Sequence, residues 1–156
     1  MIISIIGSGG KTTRMKELLA QYREEGKTVL MTTTTHMLIE EDTLVDPSYQ
    51  DIKEAINKQD YAFAGRRFDE HKIMSLDPQL LDQLKKEIDV ILIEADGSRG
   101  LPLKVCAAHE PVVDPDSDKI ILITSMKGFG KKVKDVVHRY ELMGLEADQV
   151  VDMALI

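Results

Sequence analysis

The chain has 156 residues, with 20 Lys and Arg against 27 Asp and Glu, a formal charge of −7 when the histidines are neutral. That length gives a single domain, 1–156, able to build a core without cross-links. The acidic balance, 4% aromatics and no Trp argue against nucleic-acid binding, which needs a basic face and stacking surfaces. One cysteine, Cys106, excludes a disulfide framework and a multi-cysteine zinc module, fits a reducing, cytoplasmic setting, and reads as a small buried residue. No apolar run approaches the ~18 residues that span a bilayer, and no basic residue precedes the first apolar run as a signal peptide requires.

Residues 2–6 form a β-branched run ended by glycines, as in a buried strand. From Thr12 the period changes: Met15, Leu18, Leu19 and Tyr22 share a helical face, and Gly26 stands where a helix ends. Residues 27–33 read as a second strand, expected beside the first with a right-handed crossover. Asp46-Pro47-Ser48 starts a helix carrying Ile52, Ala55 and Ile56. A short strand follows at 61–64, then an edge hairpin or surface excursion over 66–76. Asp77-Pro78 opens a helix with Leu80, Leu81 and Leu84. Residues 89–94 are apolar on both faces, as in a central parallel strand, and 119–124 read as a second such strand. Helices are expected at 131–140 and 146–154. Alternating strands and helices predict a three-layer α/β/α domain with a mainly parallel sheet, like that of P-loop NTPases, and a site beyond the carboxyl ends of its strands.

Three segments fall at those ends. Gly7-Ser8-Gly9-Gly10-Lys11-Thr12-Thr13 lies between strand and helix, the context that makes a glycine-rich string a phosphate loop. Its glycines allow close backbone approach, the helix N-terminus offers free N–H groups, Lys11 adds a point charge and Thr12 a hydroxyl for Mg²⁺. The usual G-x-x-x-x-G-K-S/T spacing would place a first glycine at position 5, occupied by Ile5. The loop is therefore two residues shorter, a spacing shared with Mur-type ligases. Glu94 and Asp96 end the strongest strand: Glu94 is assigned to the metal and Asp96 to positioning water or sensing the terminal phosphate. Thr34 and Thr35, the exposed end of a run of four threonines, offer hydroxyls to phosphate or metal-bound water, although threonine is also an ordinary strand residue. Arg99 and Lys104, with His109 nearby, either neutralise phosphate charge, hold a second anionic substrate or lie in a solvated loop. The four histidines form no helical i, i+4 pair, which disfavours zinc.

In this order, Gly7-Ser-Gly-Gly-Lys-Thr-Thr13, Thr32-Thr-Thr-Thr35, Glu94-Ala-Asp-Gly97, Pro102-Leu-Lys104 and His109-Glu-Pro111, with His138-Arg139 beyond them, resemble the YqeC family, accessory proteins of selenium-dependent hydroxylases. The resemblance implies a P-loop protein using Mg²⁺ with ATP or GTP, whose partner is a molybdenum hydroxylase or its cofactor. It also implies a longer family domain, so that a base-reading Asn-Lys-x-Asp segment would fall past position 156 and the domain here is expected to be truncated at its C-terminal end. Three readings follow: a slow NTPase in which Lys11, Glu94 and Asp96 act on the triphosphate, a phosphoryl-transfer or Mur-like enzyme acting on a small anion, and a nucleotide sensor or scaffold without turnover.

Overall fold

The structure, a computed structural model, describes residues 1–97 and 99–156. The expected strand, glycine turn and helix are present: β1 (Ile2–Gly7) runs into α1 (Lys11–Glu24), which ends where Gly26 takes a φ of 71°. After β2 (Val29–Thr33) come two short strands, β3 (His36–Leu38) and β4 (Thr43–Val45). Helix α2 (Tyr49–Gln59) begins at a reciprocal cap, the Ser48 side chain accepting from the Asp51 N–H while Asp51 accepts from Ser48. Strand β5 (Tyr61–Arg67) continues through Gly65, where a Cβ would meet the Met74 carbonyl oxygen at 2.6 Å, so the glycine lets β6 (Lys72–Met74) fold closely against it. The 66–76 segment is thus a hairpin, but not at the edge, because β3 pairs on the outer side of β6. Asp77 caps α3 (Pro78–Leu84), and β7 (Val90–Glu94) follows.

The rest is irregular: β8 (Leu103–Lys104), β9 (Lys119–Ile123), the four-residue α4 (Val133–Val136) and β10 (Val137–His138). The helices expected at 131–140 and 146–154 are not formed as such. Val133, Val136, Val137 and Val151 do become buried, but around Leu103 in a small separate core, through a short helix and a two-residue strand instead of one long face.

The main sheet has the order β3-β6-β5-β2-β7-β1-β9, with β4 alongside β5. Strands β5, β2, β7, β1 and β9 are parallel, whereas β6 is antiparallel to β5 and β3. Alternation divides the core between two faces. Ile2, Leu30, Ile91 and Ile93 pack with α2 and α3, while Ile3, Ile5, Val29, Met31 and Leu92 pack with α1. The three-layer mainly parallel arrangement is therefore present among the described residues.

Two placements differ from expectation. Strand β2 does not lie beside β1, because β7 is inserted between them. A strand carrying Val90, Ile91, Leu92 and Ile93 has two apolar faces and sits best where both are covered. Strand β9 is an edge strand, not a central one: Ile121 and Ile123 pack toward α1, but Ile120 and Leu122, on the other face, are 57% and 69% exposed. β8 and β10 pair in parallel as a separate two-stranded sheet.

Candidate functional site

The ends of β1, β2 and β7 meet at one rim, and a cleft of about 840 Å³ opens there, a volume within the ~300–1,000 Å³ range of small-molecule sites. Its floor is the turn between β1 and α1. Gly7, Gly9 and Gly10 have φ values of 91°, 78° and 145°, conformations that glycine adopts without the clash a Cβ brings. α1 differs from its neighbours at its start. Where α2 and α3 are capped by Ser48 and Asp77, α1 begins at Gly10 with no side-chain cap and no acid in its first turn. Its first N–H groups and the positive end of its dipole thus face the cleft.

Lys11 is 5% exposed. Its Nζ donates to the Gly7 carbonyl oxygen at 2.8 Å and lies 3.8 Å from Glu94 Oε1. Burial lowers the Lys11 amine from its ordinary pKa, opposed by the charges of Glu94 and Asp96; burial likewise raises the Glu94 carboxyl, opposed by Lys11 and Thr12. The Thr12 hydroxyl donates to Glu94 Oε2 at 3.3 Å, so a hydroxyl from α1 and a carboxylate from β7 converge on one point. Thr12 and Glu94 supply hard oxygen ligands that fit Mg²⁺, which binds through one or two protein oxygens plus substrate phosphates. Among the described residues no group of three or more His, Cys, Asp or Glu side chains could hold a metal ion.

The other candidates divide. Thr13, Thr35 and Arg99 line the cleft with Gly9, Gly10, Lys11, Thr12 and Glu94. Ser8 turns away, its hydroxyl donating to the Pro102 carbonyl at 2.9 Å, and Thr34 donates to the Val112 carbonyl at 2.5 Å. Asp96 is fully buried: it accepts from the Gly7 N–H at 3.0 Å and pairs with Lys104 Nζ. It holds the glycine turn in place, and its carboxylate has no face left toward water. Lys104, 2% exposed at its side chain, is enclosed by Asp96 and Glu110 and is not free to take a substrate. His109 is exposed and outside the cleft lining. Cys106 is exposed, not buried, because its segment crosses the surface between β8 and the turn preceding Pro111.

Three further cleft residues were not assigned a role from sequence, although Glu110 lies in the His109-Glu-Pro111 string and His138-Arg139 in another. Glu110, His138 and Arg139 line the far wall, joined to the rest when β10 pairs with β8. Burial alone would raise the Glu110 carboxyl, but hydrogen bonds from Arg139 and Lys104 outweigh it and hold the pKa at about 2. His138 is lowered, by burial first and then by the charges of Arg139, Arg99 and Lys104, which favours its neutral ring. Arg99 and Arg139 both have left-handed backbones, with φ of 51° and 60°, at a cost on the order of 1 kcal/mol each. The string His138-Arg139 was legible only through family resemblance; its place in the cleft depends on pairing between residues far apart in sequence.

Fold and site together define a mixed α/β protein with a mostly parallel central sheet and a ligand-sized cleft at the carboxyl ends of its strands. The family model described as YqeC protein matches residues 3–141, and the chain belongs to that family. It is similar to the protein named YqeC in Escherichia coli (strain K12), with 33% identity over 165 aligned positions that cover 98% of this chain and 64% of that protein. The chain thus spans just under two thirds of that relative's length. No solved structure matches it.

Proposed function

We propose that the cleft binds a Mg²⁺-complexed nucleoside triphosphate, ATP or GTP, in the manner of a P-loop NTPase. The convergence of Lys11, Thr12 and Glu94 at the uncapped start of α1 carries this reading. The β- and γ-phosphates would lie against the N–H groups of the turn and Lys11, replacing the internal bond from Lys11 to Gly7. The Thr12 hydroxyl and Glu94 would hold the metal, which when bound would supply charge neutralisation at the phosphates. Glu94 accepts from the Thr12 hydroxyl, and its raised pKa suits it to orient, or accept a proton from, an attacking water. Asp96 positions the loop. Slow hydrolysis then acts as a switch in the maturation of a selenium-dependent molybdenum hydroxylase, a role supported by the likeness of the chain's motifs to those of the YqeC family.

Calorimetric titration with Mg·ATP and Mg·GTP, alongside phosphate release, tests the reading on the full chain and on Thr12→Val and Lys11→Ala. Thr12→Val is expected to lose roughly tenfold or more of the Mg²⁺-dependent part of the affinity while binding nucleotide unchanged in EDTA. Equal affinity of the parent and both folded variants for Mg·nucleotide would show that the phosphates do not lie on this turn.

A further inference from the structure

The cleft is larger than the phosphate loop requires, and its remaining wall is cationic. Beyond the glycine turn, Lys72, Arg99 and Arg139 line it with His36 and His138. The acids on that wall are already engaged: Glu40 pairs with Lys16 at 2.7 Å and Glu110 with Lys104 and Arg139. In a chain of net charge −7, this leaves a local positive excess beside the candidate phosphate site. Arg99 is exposed to the cleft and makes no ion pair among the described residues. His138 is buried, 8% exposed, lines the cleft, and its ring makes no hydrogen bond among the described residues, so a polar ring stands at the cleft wall with its bonding capacity unused.

This wall lies on one side of the loop. Thr12 and Glu94 mark the metal edge, and the end of β2 is pinned to the same residue, with the Thr34 N–H and the Thr33 hydroxyl both donating to the Glu94 carbonyl oxygen at 3.1 and 2.8 Å. Thr35 and Arg99 line the same cleft as Thr12 and Glu94, so the cationic wall and the candidate phosphate site share one space.

We propose that Arg99, His138 and Arg139 form a second subsite that holds a small anionic co-substrate, through a phosphate or carboxylate group, next to the terminal phosphate of the bound nucleotide. The inference rests on the nucleotide reading above. Two guanidinium forks match the planar or tetrahedral oxygens of such groups, and the His138 ring supplies a third directed contact. Glu110 accepts from both Arg139 and Lys104, which ties Arg139 to the wall. The subsite thus differs from the Arg99, Lys104 and His109 set expected from sequence, since Lys104 is enclosed and His109 lies outside.

The test uses the full chain saturated with a non-hydrolysable Mg·nucleotide analogue, titrated by calorimetry with glycerol phosphate in one arm and citrate in the other, for the parent and for Arg99→Ala. Arg99 lies on an exposed turn, so its truncation is not expected to unfold the chain. The expected result is binding of one anion class to the nucleotide-saturated parent, weakened about tenfold in Arg99→Ala held at the same nucleotide saturation; the responding arm identifies phosphate or carboxylate. Displacement of nucleotide by the anion, equal anion affinity in both proteins, or no anion binding in either arm overturns the subsite while leaving the nucleotide reading intact. Absence of nucleotide binding to the parent overturns both.

Discussion

Asp96 accepts a hydrogen bond from the Gly7 N–H at 3.0 Å across 89 residues of sequence, tying the end of β1 to the segment that follows β7. The same carboxylate neutralises Lys104, whose side chain is 2% exposed. Truncation by Asp96→Ala leaves a buried donor unpaired and a buried ammonium with one partner fewer. The expected cost is about 3 kcal/mol of folding free energy. Urea unfolding measures it, and a loss under about 1 kcal/mol would mean that the bond contributes little.

The glycine turn is sterically as well as conformationally specified. A Cβ on Gly7 would sit 2.0 Å from the Ile123 carbonyl oxygen, at a φ of +91°, whereas one on Gly26, at +71°, meets nothing within 4 Å. Gly26→Ala carries only backbone strain, on the order of 1 kcal/mol. Gly7→Ala must also displace β9, and a loss above about 3 kcal/mol or failure to fold is expected. Similar unfolding midpoints for the two variants would contradict this placement of β9 against the turn.

Acid should weaken the far wall of the cleft. The Glu110 carboxyl is held at about 2, below its ordinary 4.5, so the folded state binds this proton less readily than the unfolded chain. Its contribution to stability is complete above pH 4.5 and is lost as the pH falls toward 2. Stability curves of the parent and Glu110→Gln are therefore expected to lie apart at neutral pH and to converge over that interval. A gap that stays constant through it would show that the pairing with Lys104 and Arg139 does not control this titration.

Thr32 is fully buried and its hydroxyl has no hydrogen-bond partner among the described residues. Replacing an unpaired hydroxyl by a methyl removes a desolvated polar group, so Thr32→Val should be neutral or stabilising by up to ~1 kcal/mol. Thermal unfolding checks the sign, and a clear loss of stability would mean that the hydroxyl is bonded.

The elements read most directly from sequence are those fixed by nearby residues. α2 is announced by Asp46-Pro47-Ser48, α3 by Asp77 and Pro78, and the β1–α1 turn by its glycines. What depends on distant partners was not legible in the same way. The string of residues 119–124 has the composition of a central strand, yet neighbours decide burial and β9 has a partner on one side only. The threonines of β2 lie one strand further from β1 than their sequence order suggests, because β7 enters from 56 residues later in the chain than Thr34. Lys104 looked like a free cation, but its partners Asp96 and Glu110 close around it only when the segment after β7 folds back. The valines at 133, 136 and 137 have helical spacing over too short a stretch, bounded by Gly130 and Gly144 with φ of 75° and 65°.

From Gly7 through Asp96, Lys104 and Glu110 to Arg139, each group is bonded to the next. The floor of the cleft and its far wall are thereby one continuous polar chain. Strain at one end has few ways to dissipate, since Asp96 and Lys104 in the middle are enclosed and bonded on both sides. Thermodynamic linkage gives this a definite form: if an anion at Arg139 alters the hold of the turn on its phosphates, the nucleotide must alter the hold on the anion by the same ratio, whichever is added first. Two chemically different molecules would then meter each other's occupancy through five residues, with no movement of the sheet that carries them.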